Sequence, residues 1–195
     1  MQKFLFILIM SVLMSNQINF DSNKAYNFVL KQCSFGPRYP GSEGHGNCRK
    51  YLVDQVKSYC KKTIIDEHLV VNPLTSDSVK IYNIFGKIRP ALKKRILLIA
   101  HWDTRQFADK DPNPSNHKEP VLGANDGASG VAVLLTLMDY FSKNNTTNFG
   151  IDFLLTDAED MGVYGKPETW ALGSKLFSES YPGTLPQFAI CVDMV

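Results

Sequence analysis

Five acidic residues and one histidine in this chain could bind a metal ion or move a proton: His101, Asp103, Asp126, Glu159, Asp160 and Asp193. Residues 96–100 are an apolar run bounded by polar residues, the pattern of a fully buried strand. His101 and Asp103 follow it. Residues two apart on an extended chain share a face. Both can therefore point into one site at the strand's carboxyl end, where open α/β sheets place their ligands. A second apolar run, residues 153–155, leads into Thr156-Asp157-Ala158-Glu159-Asp160, and a third, residues 188–192, ends in Asp193. Asp126 sits in Gly-Ala-Asn-Asp-Gly-Ala-Ser-Gly, whose small residues let another group approach the backbone closely. Oxygen and imidazole donors with no thiolate among them suit a catalytic zinc better than a structural one.

Each of these residues also has a plainer reading. Asp126 before a helix would serve as an N-cap. Glu159-Asp160 would be a solvated acidic turn, and a histidine at a strand end is often a satisfied structural group. Adjacent side chains point in different directions, so Glu159 and Asp160 can also divide the work, one facing a metal and the other a substrate. Trp102 is either pocket wall or core, and Trp170 either lines a pocket or packs a helix. His45, His68 and His117 show no partner pattern and read as structural or exposed.

The elements that must position these groups follow from periodicity. Helices are expected from Asp21 or Ser22 to about residue 32 and over residues 43–59, the second marked by Tyr51, Leu52, Gln55, Val56 and Tyr59 at helical spacing. Residues 63–71 and 80–88 read as strands that form an antiparallel edge. Strand 96–100, helix 127–142, strand 149–156, helix 169–179 and strand 187–193 then alternate, the signature of an α/β fold. The length of 195 residues suits one domain, and 44% hydrophobic residues can fill a core. A net charge of +2 with no basic stripe gives no reason to expect nucleic acid. Residues 1–20, with a basic start and a short apolar stretch, read as a signal peptide and are too short for a transmembrane anchor. The expected location is periplasmic or extracellular. Of the four cysteines, Cys48 and Cys60 on one straight helix would be about 18 Å apart, too far to bridge. All four read as buried free thiols.

The segments AHWDTR, GANDGASGVAVLL, DAEDMG, TWALGS and CVDMV, with FGPRYPGSEGH near the start, resemble the zinc-dependent exopeptidase family. Within it they look most like the glutaminyl cyclases of bacterial type. The resemblance spans residues 35–195 and implies a three-layer α/β/α fold around a central mixed, mostly parallel sheet. It implies that Asp126 and Asp160 bind zinc, that Glu159 is the general acid/base, and that Asp193 steadies the reacting amide. By the same resemblance Trp170, and Trp102 as a second candidate, contact substrate. Relatives continue for a further hundred or so residues and supply a His ligand, so the chain is expected to be truncated after Val195.

A cyclase would use one zinc and act on peptide or protein N-termini. A two-zinc aminopeptidase of the same family needs His101, Asp126 and Asp193 for one metal, with Asp103 orienting His101, and Asp126, Asp160 and the later His for the other. A third reading is an inactive binding module of the same fold.

Overall fold

The computed structural model describes residues 19–145 and 147–195. The expected signal peptide lies outside these residues except for Asn19 and Phe20. No helix among the described residues is long and apolar enough to cross a membrane.

Helix α1 (Ser22–Cys33) starts where Asp21 accepts the Lys24 N–H at 2.9 Å, and α2 (Glu43–Tyr59) starts where Ser42 accepts that of His45 at 3.0 Å. These are N-cap bonds that satisfy otherwise orphaned helix donors. Strands β1 (Lys62–Val71) and β2 (Ser78–Ile88) form the expected hairpin. Then come β3 (Arg95–His101), α3 (Ala128–Lys143), β4 (Gly150–Thr156), α4 (Leu172–Glu179) and β5 (Ala189–Cys191). The sheet order is β1-β2-β4-β3-β5. It is mixed: β4-β3 and β3-β5 pair in parallel, β1-β2 and β2-β4 antiparallel. The tight β1-β2 turn can only make an antiparallel pair, whereas crossovers such as α3 return the chain for parallel pairing.

Strand alternation sorts the core into two layers. Ile84, Leu98, Ala100, Phe153 and Leu155 face α1, α2 and α3, together with Leu52, Val56, Leu134, Leu135 and Met138. Phe85, Leu97 and Leu154 face the other way and pack on Phe177 of α4. The central strand β4 is buried at every residue, as a strand covered on both faces must be.

Two expectations need correction. The helix expected over residues 169–179 starts only at Leu172, because Ala171 adopts a left-handed conformation (φ 52°) and breaks it from the 3-10 turn Pro167–Thr169. Trp170 is therefore on an extended linker, not on a helix face. Of the four free thiols, Cys48 and Cys60 are buried, and burial pushes both up to about 12. Cys33 is half-buried and Cys191 exposed, because β5 lies at the sheet edge with all three of its residues exposed.

At the amino ends of β3 and β4 lies a buried ion pair. Arg95 holds Asp152 through Nε at 2.9 and 3.0 Å and through a terminal nitrogen at 2.6 Å, and it also donates to the Ile88, Arg89 and Leu92 carbonyls. Tyr181 donates its hydroxyl to Asp152 at 2.7 Å. Asp152→Ala would leave a buried guanidinium and a hydroxyl uncompensated. Urea unfolding should show a loss of about 3–5 kcal/mol; a loss under about 1 kcal/mol would contradict this role.

Candidate active site

The parallel register of β3 and β4 sets His101 opposite Thr156, so the two strands end level. The Trp102 N–H donates to the Thr156 carbonyl at 3.0 Å and carries the ladder one residue further. Beyond it the chain runs into Asp103, which is fully buried. Its two carboxylate oxygens accept the backbone N–H groups of Glu159 and Asp160, each at 3.0 Å. Asp103 thus fixes the turn that carries Glu159 and Asp160.

Asp126 enters from the start of α3. The helix N-cap is Gly127 and no side chain caps it, so Asp126 is not spent as a cap. A Cβ on Gly127 would lie 2.3 Å from the His101 carbonyl oxygen, so only glycine lets α3 begin this close to the end of β3. Asp193 follows β5, whose ladder continues where the Val192 N–H donates to Ile99 at 2.8 Å.

These elements converge on His101. Its Nε2 lies 2.7 Å from an Asp126 oxygen and 3.5 Å from one of Asp193, and its Nδ1 lies 3.4 Å from an Asp103 oxygen. Neither buried ring nitrogen has a partner in hydrogen-bond geometry. Donor atoms of His101, Asp126 and Asp193 lie within 4.8 Å of one another, and so do those of His101, Glu159 and Asp160. Among the described residues no such set holds Asp126 and Asp160 together; His101 is the member common to both.

The charge in the cluster is unbalanced. Burial, then the charges of Asp103 and Asp126, push Asp160 up to about 8. Burial also raises Glu159, reinforced by Asp103, Asp126 and Asp193 and opposed by His101. Burial works against a charge on His101, but contact with Asp103 and Asp126 outweighs it and raises the ring to about 11. The ring in turn holds Asp126 below its ordinary value. This donor set fits a divalent cation such as zinc. Adjacent ligand atoms around a tetrahedral zinc stand about 3.3 Å apart, given bonds of about 2.0–2.1 Å. The contacts about His101 bracket that spacing, and its ring nitrogens are otherwise unpartnered.

Trp170 is half-buried beside this turn. Its indole N–H donates to the Val163 carbonyl at 3.2 Å, and its ring lies so close over Gly162 that no Cβ would fit there. Trp102 is not a substrate contact: it is fully buried, its indole N–H donates to Tyr82 at 3.1 Å, and it stacks on His45 at 4.5 Å. Strand alternation explains this, since His101 and Asp103 take the site face and Trp102 takes the opposite one.

Three further residues brace the site, and the sequence alone did not mark them. His45 lies buried in α2, 2.8 Å from Asp157 through Nε2. Arg38, fully buried, donates to the carbonyls of Trp102, Leu122 and Gly123 and so ties the end of β3 to the segment before Asp126. Arg105 donates to the carbonyls of Asp160 and Gly162. Their partners are distant in sequence, and only their places in the FGPRYPGSEGH and AHWDTR segments, which contain all three, hinted at them. His68 and His117 make local contacts, to Asp66 and the Asp111 carbonyl. A surface cavity of about 830 Å³ between Tyr59, Leu92 and Phe141 lies at the opposite, amino ends of β3 and β4.

An α/β sheet with imidazole and carboxylate donors gathered over the carboxyl ends of its parallel strands defines a zinc-exopeptidase-like enzyme domain. The model of peptidase family M28 matches residues 83–195, more than half of the chain, and the chain belongs to that family. It is similar to a glutaminyl cyclase of Bacteroides thetaiotaomicron bound to N-acetylhistamine, with 38% identity and a TM-score of 0.88 over 92% of this chain and 64% of that one. A glutaminyl cyclase of Porphyromonas gingivalis is 37% identical with a TM-score of 0.85, over 90% of this chain and 62% of that one. A leucine aminopeptidase precursor of Bacteroides thetaiotaomicron is equally near, at 38% and 0.88 over 92% of this chain and 64% of that one. A curated glutaminyl-peptide cyclotransferase of Bos taurus is 20% identical over 156 residues, 75% of this chain. The chain spans 42% of that curated relative's length and just under two thirds of the solved cyclases.

Two expectations follow. Asp103→Asn would turn an NH2 group toward the N–H of Glu159 or Asp160. Unfolding free energy should fall by about 1–3 kcal/mol, and zinc uptake on dialysis should weaken; unchanged stability would remove Asp103 from this role. The second concerns pH in the metal-free protein. Asp160 (about 8, ordinarily 3.8) and His101 (about 11, ordinarily 6.5) both hold protons more tightly when folded. The stability this gives is complete below their ordinary values and is lost as pH rises through their folded ones. The denaturation midpoint of metal-free protein should therefore be lower at about pH 9 than at about pH 6, with zinc restoring more at the higher pH. A flat or rising midpoint would refute this.

Proposed function

We propose that this chain belongs to a zinc-dependent glutaminyl-peptide cyclotransferase that converts the N-terminal glutaminyl residue of peptides to pyroglutamyl and releases ammonia. Its similarity to solved glutaminyl cyclases supports the reading. The observation that carries it is Glu159. This carboxyl sits in the acidic cluster with its affinity for protons raised, without a salt bridge to any described residue, next to Asp160 and within 4.8 Å of a His101 donor atom. A group that takes up and gives back a proton during turnover needs a proton affinity raised above that of a free carboxylate and no ion pair that holds it.

By the family resemblance Asp126 and Asp160 would hold the zinc; their donor atoms belong to two separate sets that share His101. When bound, zinc would polarise the side-chain amide carbonyl of the substrate as a Lewis acid. The substrate's α-amine nitrogen bonds to that carbonyl carbon and the bond to the amide nitrogen breaks. Glu159 accepts a proton from the α-amine and delivers it to the departing ammonia. Asp193 accepts a hydrogen bond from the amide nitrogen and orients it. Trp170 packs against the glutaminyl side chain. Because nucleophile and carbonyl belong to one residue, holding that residue in a curled conformation supplies much of the rate. Export through the leader in residues 1–20, to the periplasm or exterior, is part of the proposal.

The His101, Asp126 and Asp193 set favours one alternative, a two-zinc aminopeptidase in which those three residues hold a second ion. The similar leucine aminopeptidase precursor supports it. Metal content and product separate the two. On a Gln-initiated peptide, one zinc per chain with ammonia released is expected. Glu159→Gln should lower that rate by about 10²–10⁴-fold while leaving zinc bound. Two zincs and freed amino acids without ammonia would replace the cyclase reading with the aminopeptidase one.

A further inference from the structure

Arg105 is 8% exposed and joins three pieces of the site region. One terminal nitrogen donates to the Asp160 carbonyl at 3.0 Å and to the Gly162 carbonyl at 3.1 Å. Nε and the other terminal nitrogen donate to the two oxygens of Asp109, each at 2.7 Å. The guanidinium carbon lies 5.0 Å from the ring centroids of both Tyr164 and Trp170. Tyr164 meets Trp170 edge-on at 5.4 Å. Asp160 and Trp170 are ten positions apart, and this one cation touches the backbone of the first and the ring of the second.

We propose that Arg105 is a positioning residue that locks the Asp160 turn and the Trp170 ring into one rigid unit, setting the distance between the metal side and the aromatic wall of the site. The inference rests on the assignment of Asp160 to the metal and Trp170 to the substrate. The Arg105–Asp109 pair alone would hold only the loop; the bonds to the Asp160 and Gly162 carbonyls are what reach the site. Arginine's planar fork can serve two carbonyls and a bidentate carboxylate at once while its faces lie against aromatic rings; a lysine ammonium is a single point charge and cannot. Asp109 holds the fork from the loop side, so it acts on the unit only through Arg105.

Arg105→Lys is the test, with Asp109→Asn as the second variant. In Arg105→Lys the affinity for zinc, read by competition with a chromogenic chelator, should fall about 10-fold, the low end for a residue that supports a metal ligand from behind. The emission of Trp170 should shift, read as the difference from Trp170→Phe; the only other tryptophan, Trp102, is fully buried and serves as a constant background. In turnover, KM should rise from the displaced wall and kcat fall from the displaced ligand. Asp109→Asn should show the same changes at smaller size. A folded Arg105→Lys with wild-type zinc affinity and wild-type Trp170 emission overturns the proposal, even if it is less stable. If Arg105→Lys does not fold, Asp109→Asn decides on the same two readings. Neither reading needs turnover, so failure here differs from failure of the cyclase reading, in which the wild-type protein itself releases no ammonia.

Discussion

A buried carboxylate must be hydrogen-bonded or it costs more than the fold can carry, and at the head of this sheet that requirement falls on Asp103. The N–H groups of Glu159 and Asp160 satisfy it. One side chain at the end of β3 thereby sets the backbone at the end of β4. That tie links the two strand ends that carry His101, Glu159 and Asp160. Without it the turn after β4 would be free to leave Glu159 and Asp160 in solvent, the plain acidic turn that the sequence equally allowed.

The rest of the turn is braced from behind at some cost in backbone strain. Ala158 (φ 54°) and Ala171 (φ 52°) both sit in the left-handed region without being glycine, at about 1–3 kcal/mol each. The bonds between them explain how the strain persists. The N–H groups of Ala171, Leu172 and Gly173 donate to the carbonyls of Glu159, Ala158 and Asp157. Gly173 must be glycine, since a Cβ there would lie 2.2 Å from the Asp157 carbonyl oxygen. Asp157, fully buried, is itself held by His45 and by the Tyr82 N–H.

The two ends of the parallel strands treat charge in opposite ways. At the amino ends Arg95 and Asp152 neutralise each other and bury completely, which serves the fold. At the carboxyl ends Asp103, Asp126, Glu159, Asp160 and Asp193 meet one histidine, and burial and the neighbouring carboxylates raise Glu159 and Asp160. Such a site is poised for a cation. The folded scaffold carries that repulsion because the pairing of β3 and β4 and the layers on both faces of the sheet fix the strands independently of the cluster.

Local pattern alone determined a good deal. Apolar runs located β3 and β4, a capping residue located the start of α1, apolar spacing located α2, and the positions of His101, Asp103 and Glu159 at strand ends marked where chemistry would occur. These are properties of a few neighbouring residues, so the sequence carries them directly. Tertiary structure decided the rest. It sent Trp102 into the core and left Trp170 on a linker, made Asp103, which lies beside His101, also the anchor of the acidic turn, and recruited His45, Arg38 and Arg105. Alternation fixes which way a side chain points relative to its own strand. What it meets there depends on which crossover brings which segment alongside, and no local pattern records that.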